Sequence, residues 1–106
     1  MIDGKLIARK TSDNPIIYRV WFDDGTGEVE VGSISQRENH LTHAVHWRWG
    51  VDTMPLLGGG TEPKGDAWSF EAARDAFRTA FLAWVNELHP GDWQRNRDHK
   101  RARAKR

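Results

Sequence analysis

Apolar and polar residues alternate along the first half of the chain and switch to a helical spacing in the second. Ile16, Tyr18, Val20 and Phe22 fall on one face of an extended segment, with Ile17, Arg19, Trp21 and Asp23 on the other. Period two with β-branched and aromatic residues predicts a strand over 16–23. Val45, Trp47, Trp49 and Val51 alternate with Ala44, His46, Arg48, Gly50 and Asp52, which predicts a second strand over 44–52. A slip of one residue there would expose two tryptophans, so its register is firmly specified. Between these two, 28–35 places Val29 and Val31 on one face and Glu28 and Glu30 on the other. Ile34 breaks that parity next to Gly32-Ser33, and a bulge at the glycine would return Ile34 to the core face. Residues 5–10 alternate weakly and make a fourth, less regular strand.

Turn chemistry separates these runs. Ser12-Asp13-Asn14-Pro15 marks a turn, because a residue before proline is pushed out of the helical region. Asp23-Asp24-Gly25-Thr26-Gly27 marks a hairpin, since glycine accepts the positive φ of a tight turn. Residues 36–43 are polar and read as a loop. Residues 53–67 hold two prolines and four glycines and read as a long, mobile connector. Ser69 is placed to cap a helix over 70–89, whose apolar residues Phe70, Ala73, Phe77, Phe81, Trp84 and Leu88 make one stripe. Pro90-Gly91 reads as its stop. No apolar stripe continues beyond Asp92.

The predicted architecture is α+β. A three- to four-stranded antiparallel β-meander packs on one α-helix within 1–91, and 92–106 forms a disordered basic tail. The expected core is the even positions of 16–23, the odd positions of 44–52 and the helix stripe.

Composition changes this picture in two ways. The chain has 106 residues, is 38% apolar and contains six tryptophans and four phenylalanines, so a few large rings must supply much of the core. Trp47, Trp49 and Trp84 are expected inside it. Trp21 points away from the apolar side of its strand, and Trp68 and Trp93 lie outside the predicted elements. The absence of cysteine excludes disulfides, thiol chemistry and cysteine-based zinc sites. No apolar run is long enough for a membrane span and the start lacks a signal-peptide pattern, so a cytoplasmic protein without membrane contact is expected.

The formal charge of +1 hides an asymmetry. Residues 95–106 hold Arg95, Arg97, Lys100, Arg101, Arg103, Lys105 and Arg106 against Asp98 alone, a balance of +6. Residues 1–94 therefore carry −5. An acidic body with a basic end is more informative than the sum.

The segments Tyr18-Arg19-Val20, Asp24-Gly25, Val31-Gly32-Ser33-Ile34, Trp47-Arg48-Trp49-Gly50 and Gly65-Asp66-Ala67 followed by Ser69-Phe70-Glu71-Ala72-Ala73 resemble those of a group of small uncharacterised bacterial proteins. In that group a meander with a Trp-rich strand precedes one helix. The resemblance spans roughly residues 16 to 85, and it implies the fold and no activity. A looser likeness, of topology only, is to sheet-plus-helix DNA-binding domains of the plant AP2 and integrase-arm type. It implies base reading by Arg19, Trp21, His46 and Arg48 on the open sheet face, where Glu28 and Glu30 would repel phosphate.

Other chemistry is thinly represented. His40, His43 and His46 with Glu38 form a spaced histidine run, but no second cluster completes a metal site, and no metal or cofactor is expected. Gly60 to Gly65 lies between strand and helix but carries Asp66 where a phosphate loop needs lysine. Ser33 and Ser35 lack the context of a nucleophile elbow. Asp23 and Asp24 suit a turn better than a paired acid and base. The expectation is a small non-enzymatic binding or accessory protein, with two readings. The first is contact with nucleic acid, or an acidic protein surface, through the basic end. The alternative is a protein-interaction module, monomeric or homodimeric, using the second sheet face at Arg19, Trp21, His46 and Arg48.

Overall fold

The computed structural model describes residues 4–52, 63–87 and 90–104. It has an α+β fold with an antiparallel sheet, as the alternation predicts. Five strands follow one another in both sequence and space: β1 (Lys5–Asp13), β2 (Ile16–Asp23), β3 (Glu28–Glu38), β4 (Val45–Val51) and β5 (Lys64–Ala67). Two helices follow, α1 (Phe70–Glu87) and α2 (Pro90–Ala104).

The expectation of three to four strands and one helix is corrected in two places. Lys64–Ala67, assigned to the connector, pairs with β4, Trp47 opposite Ala67 and Trp49 opposite Gly65. The basic end is helical through Ala104 rather than disordered. Proline suits the first turn of a helix because its missing N–H would be unsatisfied there; Pro90 opens α2. Residues 53–62, 88–89 and 105–106 lie outside the described residues, and with them Gly58-Gly59-Gly60, Leu88, Lys105 and Arg106.

The β2–β3 turn is built by carboxylates. Asp23 Oδ1 accepts from the Gly25 amide at 2.9 Å, and Asp24 Oδ1 accepts from the Thr26 amide at 2.9 Å. Gly25 and Gly27 stand at φ +94 and +125, a region that side chains disfavour. The bulge sits where Ile34 required it. Gly32 pairs with Val20 and Glu30 with Trp21, so Val31 is the extra residue. Val29, Val31 and Ile34 are all buried on the helix side.

Ser69 Oγ accepts from the Ala72 amide at 3.1 Å, the predicted cap. Ala73, Phe77, Phe81 and Val85 are the buried stripe of α1, which lies across β3, β4 and β5. Trp84 and Trp47 pack against the core, and Trp49 is buried within it. Trp93 of α2 is a core residue as well. It stands edge-on to Phe22 at 5.5 Å and to Phe81 at 6.2 Å. No helix of the described residues is long and apolar enough to cross a membrane.

Candidate functional site

The two surfaces singled out in the sequence come out differently. The basic end is folded against the body through one carboxylate. Asp24, only 6% exposed at its side chain, accepts through Oδ2 from Trp93 Nε1 at 3.1 Å and from Arg97 Nη1 at 2.8 Å. Its Oδ1 accepts from the Thr26 hydroxyl, and Arg101 Nη2 lies 4.0 Å away. Arg101 also donates to Thr26 Oγ1 at 3.0 Å, and Lys100 Nζ donates to the Asp52 carbonyl at 2.9 Å. Arg95 pairs with Asp92 inside its own helix.

The inward face of α2 is therefore Trp93, Asn96, Arg97, Lys100 and Arg101, while Gln94, Arg95, Asp98, His99 and Ala102 are exposed. That is helical spacing of i, i+3, i+4, i+7 and i+8 written mostly in charged residues. Three of the cations assigned to nucleic acid thus face the protein. The side chain of Arg103 is outside the described residues, as are Lys105 and Arg106.

Burial opposes ionisation of Asp24, but the hydrogen bonds from Thr26, Arg97 and Trp93 together outweigh it and hold the carboxyl well below the usual carboxylate range. Because the folded value is depressed, the contribution to stability is complete above the unfolded value and is lost as pH falls toward the folded one. Asp24→Asn is expected to cost about 2 kcal/mol near neutral pH, the scale of a hydrogen bond to a charged group. The difference from wild type should shrink below about pH 4. Urea midpoints measured down the acid range check this; two parallel profiles would contradict it.

The outer face of the sheet, opposite α1, brings the other candidates together. Arg19 and Trp21 on β2 share it with His46 and Arg48 on β4, and β3 runs between them. Ile7 of β1 lies opposite Trp21, and Ile17 lies on the same strand face. All three apolar side chains are half-buried. Trp21 is covered in part by Arg9, whose guanidinium carbon stands 5.0 Å from the ring centroid.

Charges on this face are mutually paired. Arg9 forks onto Glu28 at 2.6 and 2.9 Å, Arg19 meets Glu30 at 3.2 Å and Arg48 meets Asp66 at 3.3 Å. The hydrogen bond from Arg9 holds Glu28 below its ordinary pKa. Glu28 and Glu30, expected to repel phosphate, are held by these arginines.

The histidines diverge. His43 adopts φ +58 in the β3–β4 turn, and its Nδ1 lies 3.0 Å from Glu38 Oε1. His46 Nε2 lies 3.5 Å from Asp66, and His40 is exposed. No group of three or more metal-ligating side chains converges among the described residues. Ser35 is buried and its Oγ accepts from Arg37 Nε at 3.2 Å. Trp68, 81% exposed, stands between β5 and α1.

Sequence reasoning missed Asp24 as an anchor and Trp93 and Asn96 as buried residues. The available signal was the spacing of Trp93, Arg97 and Arg101, one helical turn apart each time. In comparisons with known proteins, no family model, no curated protein and no solved structure matches the chain.

Proposed function

We propose that the chain is a non-enzymatic interaction module that pairs with a second copy of itself through the outer face of its sheet. The observation that carries this reading is Trp21, half-buried opposite Ile7 and under the Arg9 guanidinium, on the sheet face opposite α1. Tryptophan and arginine at the centre of a patch are the residue types that dominate association energies. The rim alternates in sign, with Arg9, Arg19 and Arg48 beside Glu28, Glu30 and Asp66. A two-fold operation can set cations of one copy against anions of the other.

Sedimentation equilibrium tests the proposal. A monomer–dimer equilibrium is expected for wild type, weakened at least about tenfold by Trp21→Ala and by Arg19→Glu. Monomers for all three proteins at high concentration would overturn it. Nucleic-acid contact through the basic end is the second reading, supported by the +6 balance of residues 95–106. With Arg97, Lys100 and Arg101 turned inward, these three would take part only if α2 left Asp24, whereas Arg95 is exposed where it stands.

A further inference from the structure

We infer that the hollow beside Trp68 binds a neutral pyranose, as a single sugar or as the end of an oligosaccharide. The hollow has a volume of about 300 Å³ and is lined by His46, Asp66, Ala67 and Trp68. Of the six tryptophans, all within the described residues, Trp49 and Trp93 are buried and Trp21, Trp47 and Trp84 are half-buried. Trp68 is 81% exposed. An indole left in water forgoes one of the largest burials a side chain can make, in a chain that relies on its rings for a core.

The ring is displayed from a fixed position. Ala67 before it pairs with Trp47, and Ser69 after it caps α1 through Oγ. A stretch held at both ends has little freedom left to lose when a ligand binds. The same register brings His46 of β4 and Trp68 to one end of the sheet.

The polar groups around the hollow identify the ligand. Asp66 Oδ1 accepts from Arg48 Nε at 3.3 Å and lies 3.5 Å from His46 Nε2. Both contacts fall on one oxygen. Asp66 Oδ2, His46 Nδ1 and the Trp68 indole N–H have no partner among the described residues, so an acceptor and donors remain for a ligand. Arg48 offsets the charge of Asp66, which leaves no net charge to select an ion, and the carboxylate in the wall disfavours the phosphate of a nucleotide. A neutral ring with one apolar face for the indole, and an edge of groups that both donate and accept, meets these conditions. A pyranose has a C–H face and a rim of hydroxyls, each a donor and an acceptor. An apolar wall with a few placed polar groups is the general build of small-ligand sites. The hollow lies on β4 and β5, three strands along from Trp21 on β2. This inference therefore survives a negative result on Trp21, and the converse also holds.

The probes are the methyl pyranosides of glucose, galactose, mannose and N-acetylglucosamine, with adenosine as a flat neutral control. Each is titrated into the full chain and followed by amide and indole N–H NMR. At least one pyranoside should bind with a Kd of about 10 mM or tighter, moving the Trp68 indole signal and the amides of His46, Asp66 and Trp68. Trp68→Ala should weaken that binding at least about tenfold, and Asp66→Asn at least about threefold. Neither side chain is buried, so both variants keep the fold. The inference is overturned if no pyranoside binds up to about 50 mM. It is equally overturned if the shifts fall elsewhere, if either variant binds as tightly as wild type, or if adenosine binds as tightly as the best pyranoside.

Discussion

Replacing Trp93 by alanine is expected to detach α2 and to lower stability by about 3–5 kcal/mol, the range for emptying a large aromatic site in a core. Trp93 is 4% exposed and meets Phe22 and Phe81 edge-on. Its indole N–H also satisfies Asp24. No other residue of the inward face of α2 is a large apolar side chain; Asn96, Arg97, Lys100 and Arg101 depend on the register that Trp93 sets. A helix of fifteen residues is marginal in water without such packing. Far-ultraviolet circular dichroism should therefore lose the α2 signal, while denaturant midpoints fall. Amide exchange should become fast across residues 90–104 and stay slow in β2 and β3. A loss below about 1 kcal/mol with α2 still protected would contradict the assignment of Trp93 as the anchor.

This helix shows where the sequence was legible and where it was not. The strand and α1 signals rest on apolar periodicity, and they hold closely. β2 occupies 16–23 as its alternation requires, β4 runs from Val45 to Val51, and Ser69 caps α1. A bulge near Gly32 was legible because Ile34 had no other way to reach the core, though the extra residue is Val31, one position before the glycine. The same parity placed Arg19, Trp21, His46 and Arg48 on one face, as the pairing shows.

What failed was any element whose inward face is not apolar. β5 is Lys64-Gly65-Asp66-Ala67, and its position is dictated by Trp49, against whose ring Gly65 lies, rather than by residues of its own. α2 writes its helical stripe mostly in arginine and lysine, and its one large apolar residue is Trp93. A charge run is normally a solvated segment. Here it finds a buried carboxylate far away in sequence, in a turn whose glycines explained it sufficiently as a turn. Asp24 does two jobs, shaping the hairpin through Oδ1 and anchoring α2 through Oδ2, and local reading reveals the first alone. The acidic body and the basic end are thus one structure at this point, held by the charge difference between them.

The second large effect is expected at Gly32, where the bulge, the sheet and α1 meet. A Cβ there would fall inside contact with the Gly50 carbonyl oxygen on β4 and 2.6 Å from the Phe77 ring. Neither neighbour can yield easily. The carbonyl belongs to a strand fixed on both sides, and Phe77 is buried between Trp49 and Phe81. Gly32→Ala should therefore cost about 3 kcal/mol, the upper part of the range for overpacking, by forcing α1 away from β3. Gly50→Ala is the control on the adjacent strand. Its Cβ would meet only the Lys64 side chain, at an ordinary 3.7 Å, on the outer face. There the smaller backbone entropy of the unfolded alanine chain should leave stability unchanged or raised by up to about 1 kcal/mol. Denaturant melts of the two variants decide the matter. Equal losses would mean that strand glycines matter here for backbone conformation, whereas a loss confined to position 32 would show that the approach of Phe77 sets how closely the helix lies on the sheet.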